Sequence, residues 1–222
     1  MPSWNIHTAH VERLLREEEP SRLGVRDVNC FLFGNFLPDV YVGYMVKPTT
    51  TTYAYSQTHW TPAHPIPSPH ADEFWERYVA GGQASDVTLG AWAHLLCDSI
   101  YNSAVRDYND LHGVAPGERT RIRKQADFDR FGRTLPISLE VRPTERLVGE
   151  CEAFPQYPVL EPDVRAACEV ADRIVRDNGA RELEPDPEYS LLTQDFFLET
   201  FERVNERMLL RLRAYGRRRH SS

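Results

Sequence analysis

The residues of this chain with the clearest chemical potential are His94 and Asp98, four positions apart in an otherwise apolar stretch. In a helix such a pair shares one face, so both side chains are directed at the same place. Their neighbours on that face, Val87, Ala91 and Tyr101, supply no countercharge. A buried carboxylate is costly without a cation or a hydrogen-bond donor. The spacing therefore favours a metal ion bound at this helix.

Three upstream residues of metal-ligand type also lie in apolar surroundings: His7, Asp39 and His59. Imidazole nitrogens and carboxylate oxygens suit zinc, manganese or iron, and one carboxylate can bridge two ions. Two alternatives compete with this interpretation. His10, one turn from His7, is an alternative ligand, and a protein without metal would hold the helical His–Asp pair as a buried ion pair.

Four further residues are candidates for lining the site or for adding a ligand. Tyr101 would either hydrogen-bond a bound ligand or pack in the core, and Asn102 would line the pocket or face solvent. Asp127 and Asp129, in a charged segment, are candidates for additional metal ligands.

The elements that must position these residues are predicted to be helical. Apolar residues recur at helical spacing over 4–19, 71–80, 87–111, 118–132, 163–177 and 188–215. The length of the dense apolar run at 30–40 fits a buried strand or a buried helix, and the helical surroundings favour a helix followed by a turn at Pro38-Asp39. Residues 47–69 are predicted to form a long loop that exposes His64 and His70, and residues 136–162 are predicted to be irregular. These patterns predict an all-α single domain over 1–222, with five to seven helices.

Composition limits the classes of partner. The 222 residues, 41% of them hydrophobic, can bury a substantial core. A net charge of −7 disfavours nucleic acid, and the basic cluster at Arg211–His220 is expected to be a solvated, frayed end. Four widely spaced cysteines indicate neither a disulfide framework nor a cysteine zinc site. Neither a signal-peptide pattern nor an apolar run of membrane-span length is evident, so a cytoplasmic protein without a transmembrane segment is expected.

Four segments resemble, in order, the motifs of the bacterial zinc-dependent phospholipase C family, in particular its short cytosolic branch. The second resembles the family's F-L-x-G-x-x-x-P-D segment, and the fourth, which is the most specific, resembles L-G-x-x-x-H-L-x-x-D. The segments are Ile6-His7-Thr8-Ala9, Phe31-Leu32-Phe33-Gly34-Asn35-Phe36-Leu37-Pro38-Asp39, Thr58-His59-Trp60 and Leu89-Gly90-Ala91-Trp92-Ala93-His94-Leu95-Leu96-Cys97-Asp98.

The resemblance implies the phospholipase C and single-strand nuclease fold, with the motifs in residues 1–133 and additional helices in 136–222. It implies one zinc ion surrounded by Asp39, His59, His94 and Asp98. A second ion would be held by His7 and by Asp98 as a bridging ligand.

The chain departs from the three-zinc members of the family. Those members use the amino group of an N-terminal tryptophan, whereas the tryptophan here is Trp4, and Ala104 stands where a further histidine is expected. One or two ions are therefore expected. Asp127 or Asp129 is a candidate replacement for the missing ligand.

The function implied by the resemblance is metal-dependent hydrolysis of a phosphate ester, either a small ester or a phospholipid. Asp39 is the candidate general base, with a role as ligand alone as the alternative. The competing class is a non-catalytic metal-binding protein, structural or regulatory, that has lost part of the family site.

Overall fold

The computed structural model describes residues 2–61, 66–180 and 187–220, and these residues form ten α-helices and one 3-10 turn, without a strand. The prediction of an all-α fold is confirmed. The helices are α1 (Trp4–Glu17), α2 (Val28–Gly34), α3 (Leu37–Val40), α4 (Tyr55–Thr58), α5 (Ala71–Tyr78), α6 (Asp86–Leu111), α7 (Glu118–Thr134), α8 (Glu145–Glu152), α9 (Glu161–Gly179) and α10 (Gln194–His220), and the 3-10 turn spans Pro20–Leu23.

The number of helices exceeds the predicted five to seven because short helices occupy segments predicted as turns or loops. Helix α3 replaces the turn predicted at Pro38-Asp39, since proline is tolerated in the first turn of a helix. Helix α4 lies within the predicted loop 47–69, and α8 lies within the segment predicted to be irregular. Helix α10 begins at Gln194 rather than at Glu188.

Helices α2 and α6 cross with their backbones in contact at two glycines. A Cβ atom at Gly90 would lie 2.1 Å from the carbonyl oxygen of Phe31, and one at Gly34 would lie 2.2 Å from the carbonyl oxygen of Val87. Only residues without a side chain permit this approach. The crossing brings Asn35, which follows Gly34, close to the α6 residue one turn beyond Gly90.

The start of α6 is fixed to the chain that leads into α2. Ser85 caps α6 by accepting a hydrogen bond from the backbone N–H of Thr88. The carboxylate of Asp86, which is buried, accepts the backbone N–H groups of Arg26 and Asp27 at 3.1 and 2.9 Å. The same two helices that cross at the glycines are thus also joined at one end.

The basic C-terminal segment is part of α10, so the expectation of a frayed end is wrong for this segment. Arg213 donates to the carboxylate of Glu18 at 2.8 Å, and Arg219 donates to the carbonyl oxygen of Gly24 at 2.7 Å. Gly216 lies against the backbone of Arg22. Helix α10 therefore continues to His220 because it packs on the Pro20–Leu23 turn.

One large apolar cluster extends along the chain from Trp4 to Tyr215. All four cysteines lie in it as buried free thiols. Among the helices of the described ranges, none combines the length and the apolar character that crossing a membrane requires.

Candidate metal centre

The five predicted ligands come from four separate elements. His7 lies on α1, Asp39 on α3 and His59 directly after α4, while His94 and Asp98 lie on α6. All four side chains other than Asp39 are fully buried, and Asp39 is 9% exposed. The structure brings these five residues into one cluster in the core.

The ligand atoms of this cluster face one another at short range. His59 Nε2 lies 3.1 Å from His94 Nε2, 3.3 Å from Asp39 Oδ1 and 3.7 Å from Asp98 Oδ2. His94 Nε2 lies 3.8 Å from the same Asp98 oxygen. Ligands bonded tetrahedrally to zinc at 2.0–2.1 Å are separated by about 3.3 Å. The observed distances are close to that separation.

A second grouping overlaps the first. His7 Nε2 lies 3.6 Å from Asp98 Oδ1, and the His7 and His94 rings are stacked with their centroids 4.2 Å apart. Two sets of three residues therefore have ligand atoms within 4.8 Å of one another: His7, His94 and Asp98, and Asp39, His59 and His94. This arrangement can accommodate either one ion or two.

The other ring nitrogen of each histidine is engaged by an oxygen atom. His7 Nδ1 lies 3.1 Å from the side-chain oxygen of Asn35, and His94 Nδ1 lies 2.9 Å from the Asn35 carbonyl oxygen. His59 Nδ1 lies 2.8 Å from the hydroxyl oxygen of Thr58. A carbonyl oxygen can only accept, so Nδ1 is the donor in both His7 and His94, and Nε2 of each ring faces the cluster. Such outer contacts are typical of metal-bound histidines.

The two carboxylates are also held from outside the cluster. Trp4 Nε1 donates to Asp39 Oδ2 at 2.9 Å, and the Tyr55 hydroxyl donates to Asp98 Oδ2 at 3.2 Å. The Tyr55 ring stacks on the His59 ring with centroids 3.8 Å apart. Asp39 directs Oδ1 at His59, whereas Asp98 directs Oδ1 at His7 and Oδ2 at both His59 and His94.

Two buried atoms of the cluster make no hydrogen bond to any described residue: His7 Nε2 and Asp98 Oδ1. Burial of an unsatisfied carboxylate oxygen and an unsatisfied ring nitrogen is costly. The same two atoms face each other, and a cation between them would satisfy both. The donor set therefore fits a divalent ion of the zinc, manganese or iron type.

The protonation states also suit metal binding. Burial lowers the pKa of His7 and of His59, which favours their neutral forms. Burial alone would raise the pKa of Asp98, but His94 and His7 outweigh it and hold this pKa well below its ordinary value. Burial opposes ionisation of Asp39 too, and His94 and His59 lower its pKa in spite of that. Neutral imidazoles and ionised carboxylates are the forms that bind metals.

The two aspartates considered as additional ligands lie outside this cluster. Both oxygens of Asp127 accept backbone N–H groups of Ser190, Leu191 and Leu192, at 2.7 to 2.9 Å. Asp127 therefore anchors the segment that precedes α10. Asp129 accepts a hydrogen bond from the side chain of Gln125.

Tyr101 and Asn102 are buried rather than exposed, and so is His10. Tyr101 packs edge-on against Phe128, and its hydroxyl makes no hydrogen bond among the described residues. Asn102 donates to the carbonyl oxygen of Pro67 at 2.7 Å. His10 belongs to neither ligand set, and its Nδ1 lies 2.9 Å from the Asn205 side-chain oxygen. Among the described residues, Asn102 Oδ1 and His10 Nε2 also make no hydrogen bond.

The two loop histidines play no part in the cluster that can be described. His70 is exposed, in agreement with the prediction, and pairs with Glu73 at 2.9 Å. His64 lies outside the described residues.

Sequence analysis missed the residues that orient the ligands: Trp4, Asn35, Tyr55 and Thr58. Asn35 lies inside the Phe31–Asp39 segment, four residues before Asp39, and that position was the available signal. Sequence analysis also missed Lys124, which is only 9% exposed.

Searches among protein family models, curated proteins and solved structures find no match to this chain.

Proposed function

We propose that this protein is a metal-dependent hydrolase of phosphate esters, similar to the zinc-dependent phospholipases C. Its ion or ions would be held by His7, Asp39, His59, His94 and Asp98. The observation that carries the proposal is the convergence of three Nε2 atoms and two carboxylates whose outer atoms are already bonded to protein groups. Such an arrangement is typical of a ligand set organised around a cation.

A bound divalent ion would lower the pKa of a water molecule and neutralise negative charge on a phosphoryl group. Asp39 is the candidate general base, because it is the most exposed member of the cluster. Trp4 holds its Oδ2 atom, so Oδ1 would either accept the proton of an attacking water or bind the ion, and in the second case Asp39 would be a ligand alone. Asp98 is fully buried, so its role is to hold charge and geometry rather than to exchange protons with solvent.

The proposed substrate class is a phosphate ester, either a small soluble ester or a phospholipid. The order and spacing of the four motifs support this class, together with zinc as the metal, through the family resemblance. The acidic net charge of −7 disfavours a nucleic-acid substrate, because such substrates are bound through basic grooves.

A structural metal centre is the second candidate function, and the burial of the ligands favours it. Four of the five ligands are fully buried, and structural zinc sites are closed whereas catalytic sites keep one position open. The two candidates differ in what they require of Asp39. In a hydrolase, solvent and substrate must reach the side of the cluster on which Asp39 is exposed.

The first experiment is elemental analysis by mass spectrometry of the untagged protein beside His94→Ala and Asp98→Ala. His112→Ala is the matched control, because His112 is an exposed histidine directly after the same helix. We expect one or two equivalents of zinc or manganese in the wild type and in the control, with loss of metal in both ligand variants. A folded wild type that takes up no added zinc would overturn the proposal.

The second experiment separates the hydrolase from the structural centre. The zinc-loaded protein is assayed with p-nitrophenyl phosphate, bis(p-nitrophenyl) phosphate and phosphatidylcholine vesicles. A hydrolase should release product, and Asp39→Asn should lower kcat by about 100-fold or more if Asp39 is the base. Retention of zinc together with no turnover of any of these esters would support the structural centre instead.

A further inference from the structure

Lys124 is the only lysine or arginine among the described residues that is buried, with 9% of its surface exposed. Lysine is rarely buried without a counter-charge. Because the molecule has abundant exposed positions for its other basic residues, the burial of this one cation requires a specific explanation.

Lys124 lies on the face of α7 that packs against the helices of the proposed metal centre. Lys124, Phe128 and Gly132 are spaced by four residues and so share one face of α7. Gly132 packs against Asn5 near the start of α1, and the Phe128 ring meets the ring of Tyr101, 5.4 Å between centroids. This face of α7 is therefore packed against the two helices that carry His7 and Asp98.

The electrostatic surroundings agree with this placement. Burial lowers the pKa of Lys124, and among the described residues the carboxylate of Asp98 opposes that lowering most strongly. Asp98 also faces His7, His59 and His94. Lys124 thus interacts electrostatically with the carboxylate that the proposed ion would also engage.

The charges of the centre do not balance once an ion is bound. Two carboxylates and three neutral imidazoles carry a charge of −2, which one divalent ion cancels. Lys124 then leaves one uncompensated positive charge in a buried region, and a second ion would add to it. An uncompensated buried charge is unfavourable unless an ion of opposite sign accompanies it.

We propose that Lys124 is an anion-binding residue of the centre and holds the phosphate group of the ligand next to the Asp98 side of the cluster. The proposal deepens the proposed function and depends on it, since it assumes a bound divalent ion. A phosphate group accepts charge-assisted hydrogen bonds from an ammonium group, which matches the three donors of lysine.

The test is isothermal titration calorimetry of the zinc-loaded protein with inorganic phosphate and, separately, with glycerophosphocholine. Lys124→Met removes the charge and keeps an apolar stem, Lys124→Gln is a second neutral variant, and Lys124→Arg keeps the charge. Arg119→Met is the matched control, because it removes an exposed charge from the same helix. Zinc content and the thermal midpoint are measured on every sample.

We expect Lys124→Met and Lys124→Gln to bind phosphate about 10- to 100-fold more weakly than the wild type. Lys124→Arg and Arg119→Met should stay within about threefold of it. Zinc should be retained or bound more tightly in the neutral variants, because a like charge has been removed from its vicinity. Weakening with inorganic phosphate alone identifies a free phosphate or monoester, and weakening with glycerophosphocholine identifies a diester headgroup.

Two results would overturn this proposal, and they are distinguishable. If the zinc-loaded wild type and both neutral variants bind either anion equally, or not at all, Lys124 is not an anion-binding residue, whereas the metal centre stands. If the wild type takes up no zinc, the proposed function fails and this proposal fails with it.

Discussion

The crossing of α2 and α6 leads to a prediction for Gly90→Ala. A Cβ atom at this position would lie 2.1 Å from the Phe31 carbonyl oxygen and 2.8 Å from the backbone nitrogen of Asn35. These are backbone atoms, so no side-chain rotation relieves the overlap. A carbon and a carbonyl oxygen require about 3.3 Å, so the two helices must separate by about 1 Å.

That separation would act directly on the metal centre. His94 Nδ1 is 2.9 Å from the carbonyl oxygen of Asn35, and a further 1 Å would break this hydrogen bond. Overpacking of this kind costs about 1–3 kcal/mol of folding free energy, which lowers Tm by about 2–12 °C in a chain of this size. Loss of the outer contact to a metal-bound histidine weakens metal affinity by about 10- to 100-fold.

The assay is differential scanning calorimetry of the metal-free proteins, followed by zinc titration against a chromophoric competitor. Gly149→Ala is the control, because Gly149 also lies within a helix and has open space where a Cβ would be placed. That variant should be unchanged or more stable by up to about 1 kcal/mol. Unfolding and zinc binding of Gly90→Ala at wild-type values would refute the view that this crossing positions His94.

Four further predictions follow from individual contacts. Burial lowers the pKa of His10 from 6.5 to about 3, so between these pH values the unfolded chain binds a proton that the folded state does not. The free energy of unfolding should therefore fall by about 1.4 kcal/mol for each pH unit as the pH drops from 6.5 towards 3. In urea titrations at several pH values, His10→Phe should show a slope shallower by about that amount, and equal slopes would contradict the assignment. Asp127→Ala leaves three backbone N–H groups of residues 190–192 without their acceptor, which should lower the free energy of unfolding by about 2–4 kcal/mol. The zinc content should stay unchanged, and a loss of zinc would show instead that Asp127 is a ligand. Trp4→Phe removes the donor to Asp39 and should raise the zinc Kd by about 10-fold, whereas an unchanged Kd would show that this bond does not orient the carboxylate. Removal of metal by a chelator should lower the Tm of the wild type, because a ligand present at 100 times its Kd adds about 2.7 kcal/mol to the free energy of unfolding. The same treatment should leave the Tm of Asp98→Ala unchanged.

The all-α class was predictable because the long helices carry a clear apolar periodicity, as α1 and α9 do. The short helices were not, because α3 and α4 are held by tertiary contacts and contain only four residues each. Helix formation over so few residues is unfavourable without packing partners. Local sequence therefore contained too little information to distinguish these helices from turns.

The proximity of His94 and Asp98 could be anticipated because they share a helix face, and their grouping with His7, Asp39 and His59 was implied by the family resemblance, but the outer contacts could not be anticipated. Asn35 reaches His7 and His94 only because two glycines allow α2 and α6 to touch. Asp127 is a candidate ligand that has a structural role instead. Its acceptors are used by backbone groups 63 to 65 residues further along the chain, a pairing that spacing cannot predict.

The positions of the five ligands along the chain determine which helices should unfold first when metal is bound. A bound ion would link α1, α3, α6 and the residue after α4, which closes a loop of about 90 residues between His7 and Asp98. Such a cross-link restricts the unfolded ensemble of that segment, in the manner of a long-range disulfide. Helices α7 to α10 carry none of the five ligands. Amide hydrogens of α8 to α10 should therefore exchange first in the metal-loaded protein, and those of α1 and α6 should exchange together and last.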